Sequence, residues 1–199
     1  MKYLVLLGSL YMLHTHPRTI PQAFNNNLIT PNVIRSAPVL KAQIKYISGA
    51  SVHFGNVLQP IDVRLPPAIT WPNKGPTSYY TLVMTDPDAG EVSEVKHWIV
   101  GNIPGNSVWR GETIAEYVGS APPFGTGRHR YIFLVFEQHF GRIQFLEPYS
   151  AVLDFSFRPY FSVQQFANKY QLGSPIAGNF FYASWDYSVP ILRAQLGLL

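Results

Sequence analysis

The 199-residue sequence predicts a mostly β fold, a sheet-based sandwich with a few peripheral helices near its C-terminal end. Three observations predict it. Fifteen glycines and 17 prolines are spread along the chain, as expected where many short strands are joined by turns. Residues 79–85, 97–103 and 131–138 form strongly β-prone runs, the last two nearly continuous in apolar and aromatic side chains, the pattern of central strands covered on both faces. Helical start and stop signals gather only after residue 160.

In chain order, Met1-Lys2 followed by the apolar run at residues 3–13 matches a secretory leader and is too short to span a bilayer. Residues 1–22 are read as this leader and residues 23–199 as one domain. The acid-poor start also leaves a mitochondrial or cytoplasmic destination open. Residues 39–47 read as a strand, and residues 52–58 as a hairpin turning at Gly55-Asn56. The three long runs follow. Ser162 to Gln165 reads as a capping box opening a helix that reaches about Tyr170 and stops at Gly173. Ser188-Val189-Pro190 opens a terminal helix through Gln195, with proline tolerated in the first turn.

Composition narrows the function classes. Apolar residues make up 47% and charged residues 13%, against about 25% charged in a typical domain, so disorder is excluded. The net charge of +4 includes Lys2 and Arg18; beyond residue 22 there are 13 basic and 11 acidic residues. No basic run interleaved with aromatics remains, which argues against nucleic acid. The chain has no cysteine, so thiolate metal sites and cysteine nucleophiles are excluded.

Three segments carry candidate chemistry. Asp86-Pro87-Asp88-Ala89-Gly90 follows a strand and, viewed alone, is a turn. His97 opens a buried-looking strand, where a histidine bonded to a backbone carbonyl is the commoner arrangement. Residues 117–131 form a Gly- and Pro-fixed loop running into a strand; in extended backbone His129 and Tyr131 share one face and Arg130 takes the other. Taken together, two carboxylates, two imidazoles and a phenol stand at strand ends beside rigid loops. Imidazole, phenol and backbone N–H groups suit phosphate or carboxylate oxygens, while the aspartates orient the histidines or accept an ammonium group.

These segments, DPDAG, HWIVGNIP and YVGSAPPFGTGRHRYIFLVFEQ, resemble the signature stretches of the phosphatidylethanolamine-binding protein family, also called Raf kinase inhibitor proteins. YQLGSPIAGN and Trp185-Asp186 extend the resemblance, which covers about residues 28–197. It implies a large antiparallel sheet packed on a smaller one, with C-terminal helices. It also implies an anion pocket at Asp86, Asp88, His97, the loop from Gly119 through Ala121 to Pro122, His129 and Tyr131. The implied ligand is a phospholipid headgroup or phosphate-like anion. The implied partners are that ligand and a protease or kinase target, with at most peripheral membrane contact. The chain is expected to be a monomer without cofactor or metal. Departures from the family pattern are Gly90 in place of a proline, a short connection from Asp88 to His97, Ala121 where glycine is common, and Arg193 where a tyrosine can flank the pocket.

A metal-assisted or carboxylate-based hydrolase is the competing class, since Asp86, Asp88, His97 and His129 have ligand chemistry. Neither an HExxH motif nor a nucleophile elbow accompanies them. The sequence therefore favours binding without catalysis.

Overall fold

The computed structural model describes residues 19–198. Residues 1–18 of the expected leader lie outside them. Residues 20–22 belong to the first helix, α1 (Ile20–Asn26), which crosses the boundary expected at 22–23. Thr19 caps it reciprocally: its hydroxyl accepts from the Gln22 amide, and the Gln22 side chain accepts from the Thr19 amide.

The frame is a seven-stranded sheet. Its centre is β8 (His129–Gln138), β5 (Tyr79–Asp86) and β6 (Val95–Pro104), all antiparallel neighbours and almost wholly buried. The runs expected from apolar continuity are these three strands. β7 (Glu112–Ala115) closes one edge, and β9 (Ala177–Ala183) lies beyond β8. Along the free edge of β9 run two short parallel strands, β1 (Leu40–Lys41) and β3 (Asn56–Val57), so the large sheet is mixed rather than purely antiparallel. The expected strand at 39–47 divides at Ala42. Its second part, β2 (Gln43–Lys45), leaves the large sheet to pair with β4 (Ala68–Thr70) in the small one.

The expected hairpin at 52–58 does not form. Phe54 and Gly55 take positive φ of 41° and 98°, which sends the chain onto the β9 edge. There the Gly55 amide donates to Phe180 O and Asn56 registers with Phe181. The Asn56 side chain spends itself locally, accepting from the His53 amide and donating to Ser51 O.

Alternation along β5 divides the core. Leu82 and Met84 face the small sheet, packing with Ile44, Ile69, Trp71 and Phe133; Val83 faces the other way, with Ile99, Leu134 and Phe136. That second face is covered by α1 and by α2 (Val163–Lys169). Ser162 caps α2, its hydroxyl accepting from the Gln165 amide, but the expected capping box is only half formed, since the Gln165 side chain makes no return bond to the Ser162 amide. The terminal helix α3 (Val189–Gln195) matches its expected span.

Candidate functional site

Antiparallel pairing places the site. Because β5 runs opposite to both neighbours, its C-terminal end at Asp86 lies against the N-terminal ends of β6 and β8, where His97, His129 and Tyr131 stand. Three distant stretches thereby reach one rim. The loop from Tyr117 to Arg128 and the tail after α3 close the hollow above it. The result is a cavity of about 450 Å³ lined by Asp86, Asp88, His97, Ala121, Pro122, His129 and Tyr131, with Arg158 and Arg193 also in its wall. A second hollow of about 460 Å³, between Pro66, Trp98 and Trp109, is lined by no charged side chain.

His97 is held to the loop twice. Its Nδ1 lies 2.8 Å from Val118 O, and its own carbonyl accepts from the Val118 amide at 2.9 Å. A carbonyl oxygen can only accept, so Nδ1 carries the proton. Burial holds the imidazolium form of His97 down, outweighing the nearby Asp86 charge and the Val118 carbonyl, which favour it. The ring is therefore neutral, and Nε2 is a lone-pair acceptor rather than the donor expected for phosphate.

His129 is fixed at both nitrogens. Nδ1 lies 2.8 Å from Asp86 Oδ2, and Nε2 lies 2.8 Å from the Thr126 hydroxyl oxygen. That hydroxyl donates to Pro123 O at 2.8 Å, so its oxygen is left to accept from Nε2–H. Both ring nitrogens are thus occupied, and His129 with Asp86 forms a hydrogen-bonded pair of two buried groups. Tyr131 packs edge-on against His97 at 5.1 Å and stacks on Phe181 at 5.1 Å. Burial, followed by the Asp86 charge, raises its phenol well above the usual range, so Tyr131 keeps its proton.

Arg130 leaves β8 on the other side, as strand alternation requires, and takes Asp88 with it. The Arg130 amide and Nε donate to Asp88 Oδ2, each at 2.8 Å, and Nη2 donates to Oδ1 at 2.6 Å. Burial would raise the Asp88 carboxyl, but these Arg130 contacts outweigh it and hold it below its usual value. The guanidinium also donates to Asn27 O and Leu28 O, tying the segment after α1 to the site. The four residues with metal-ligand chemistry are thus divided among separate partners, and no cluster of three or more such side chains forms among the described residues.

Other expectations shift. Gly119 does not line the cavity; a Cβ there would stand 2.7 Å from Val63 O, so this glycine permits the loop to pack on the 60–64 turn. Gly90 has φ +64°, a conformation closed to proline, so the rim turn as formed here requires the departure from the family pattern. Arg193 reaches the mouth as expected, where Nη2 donates to Leu198 O at 3.0 Å and Nη1 stands 3.5 Å from Ala121 O.

Sequence reasoning missed Arg158. It is fully buried, with its guanidinium donating to the carbonyls of Asp154, Lys96, Ser150 and Ala151. Burial lowers it to about 10, against the partial opposition of Glu116 and Asp154, and it remains charged at neutral pH. Nothing in its FSFRPY surroundings distinguishes it from a solvated loop arginine. Asp88 is paired with Arg130 and Asp86 with His129, whereas Lys96 in the same wall has no carboxylate within salt-bridge distance among the described residues, and Arg158 and Arg193 contact only carbonyls. The cavity wall carries net positive charge.

Comparison with known proteins identifies the family of the fold. The family profile described as "Phosphatidylethanolamine-binding protein" matches residues 45–181. A Drosophila melanogaster protein named "Putative odorant-binding protein A5" is 33% identical over 173 residues, 84% of this chain and 81% of that protein. The "26 kDa secreted antigen" of Toxocara canis is 38% identical over 163 residues, 79% of this chain but 62% of the antigen. Among solved structures, a carboxypeptidase Y inhibitor complexed with its cognate proteinase superposes with a TM-score of 0.68 at 25% identity, covering 86% of this chain and 98% of the inhibitor. With the profile spanning most of the sheet and a relative alike over four-fifths of both lengths, the chain belongs to the phosphatidylethanolamine-binding protein family.

Proposed function

We propose that the chain is a non-catalytic binding protein whose cavity takes a small anionic ligand, of which the phosphorylated headgroup of phosphatidylethanolamine is the leading example. The observation that carries this reading is the pair of guanidinium groups, Arg158 and Arg193, in one cavity wall without carboxylate partners. An anion in a partly desolvated hollow gains from uncompensated positive charge far more than it would in water. His97 Nε2 supplies an acceptor beside them, suited to an ammonium or hydroxyl group of the same ligand. The non-catalytic reading is supported by the pairing of the candidate groups, with His129 held at both nitrogens by Asp86 and Thr126 and Asp88 bound to Arg130.

Titration calorimetry with O-phosphoethanolamine tests the reading. His129→Ala leaves the Asp86 carboxylate unpaired in the cavity floor, where it repels an anion. Binding should weaken by about tenfold or more, the scale of one charge-assisted interaction, with near-ultraviolet circular dichroism unchanged. Equal affinity in the variant would contradict the assignment.

The structural match to a protease inhibitor favours a second reading, inhibition of a protease through the surface around the cavity. Residual activity of carboxypeptidase Y in the presence of the chain reads this directly. Stoichiometric loss of activity supports it, and full activity at micromolar chain removes it.

A further inference from the structure

The cavity is larger and more apolar than a headgroup requires. At the ~30 Å³ that a water-sized group occupies in a liquid, 450 Å³ holds roughly 15 such groups, so phosphoethanolamine, with about eight non-hydrogen atoms, fills about half of it. The unfilled part is not polar. Away from the Asp86–His129 floor, the wall is made by Val92, Val95, Val118, Phe155, Leu196 and Leu198. Water there would face hydrocarbon on most sides.

These side chains come from five separate places: the turn after Gly90, the start of β6, the loop at 118, the loop at 155, and the end of α3 with the tail after it. The tail is held over the hollow by its own bonds. Leu198 N donates to Arg193 O at 3.0 Å, and Arg193 Nη2 donates back to Leu198 O. Arg193 thus stands at the junction between the polar floor and the apolar wall.

Building on the proposed anion site, we infer that the ligand is a single-chain amphiphile: an acidic head beside Arg193 and an apolar body of roughly seven atoms, the remainder of the volume, against Val92, Phe155 and Leu198. Volume limits it to one chain. A diacyl lipid would leave both of its tails outside.

A series of n-alkyl phosphates from methyl to tetradecyl, titrated calorimetrically below their aggregation thresholds, tests this. Affinity should rise by about two- to fourfold per methylene, as partial to full burial of each CH₂ provides, and level off near the tenth carbon, since the five-atom phosphate head leaves about ten of the roughly 15 places. Val92→Ser and Phe155→Ala, both at half-buried positions, should flatten the slope while leaving the affinity for inorganic phosphate unchanged. A flat series with phosphate binding intact would overturn this inference and leave the anion site standing. A slope indifferent to both substitutions would overturn it too, as would dioleoyl phosphatidylethanolamine vesicles displacing octyl phosphate at equal lipid concentration. Failure of every phosphate to bind would instead remove the anion site itself.

Discussion

Glu94 illustrates how a single side chain near the rim is energetically exposed. Burial raises its carboxyl from 4.5 to about 7, against the lowering effects of the Thr85 hydroxyl at 3.0 Å and the Val163 amide at 3.3 Å. The folded state therefore holds a proton more tightly than the unfolded chain. Below pH 4.5 both states are protonated and the side chain costs nothing. Between that point and pH 7 a penalty grows, and above it the penalty is complete. Glu94→Gln should be more stable than the parent by about 2 to 3 kcal/mol at pH 8, with the gain vanishing near pH 4. Thermal melts at the two values check this; an equal gap at both would contradict the buried, raised carboxyl. Arg158 shows the same desolvation acting on a cation, but four carbonyl acceptors and a charge that persists above pH 7 make it a permanent source of positive potential.

At the scale of elements, legibility followed how local the determining signal was. The strands β5, β6 and β8 were visible because burial on both faces leaves near-continuous apolar runs. α2 and α3 were visible because Ser162, Pro190 and Gly173 mark helix ends through local backbone chemistry. β1 was read as strand but not its separation from β2, and β3 was misread as half of a hairpin, because what orders both is the distant edge of β9; Gly55, which looked like a hairpin turn, serves that docking instead. β9 itself went unassigned, although AGNFFYA is almost wholly buried; its glycine hides a site where the backbone of β8 approaches to within 2.9 Å of a Cβ position. Of the site, Asp86, His97, His129 and Tyr131 were legible because strand ends beside Gly- and Pro-fixed loops advertise themselves. Gly119 was misplaced, and Asp88 proved to be tied up with Arg130, because hydrogen-bond partners at long separation leave no mark on the sequence around them. Arg158 was invisible for the same reason.

The whole molecule is organised so that its centre is rigid and its chemistry lies at one end. Two cores, one beneath the small sheet and one beneath α1 and α2, clamp the large sheet from both faces. The strand ends at Asp86, His97 and His129 inherit that rigidity, and the loops above them add the apolar wall and the arginine at the mouth. A scaffold that fixes its polar groups on carbonyls and on each other suits selective retention of a ligand, since little ordering remains to be done on binding. The central claim is that one anion occupies this cavity. Backbone amide NMR of the chain titrated with O-phosphoethanolamine tests it most directly. Shifts should appear together in residues 86–90, 118–131 and 193–198, three segments far apart in sequence, and saturate with one midpoint. Shifts confined to the uncharged hollow around Trp98 and Trp109, or none at all at saturating ligand, would contradict it.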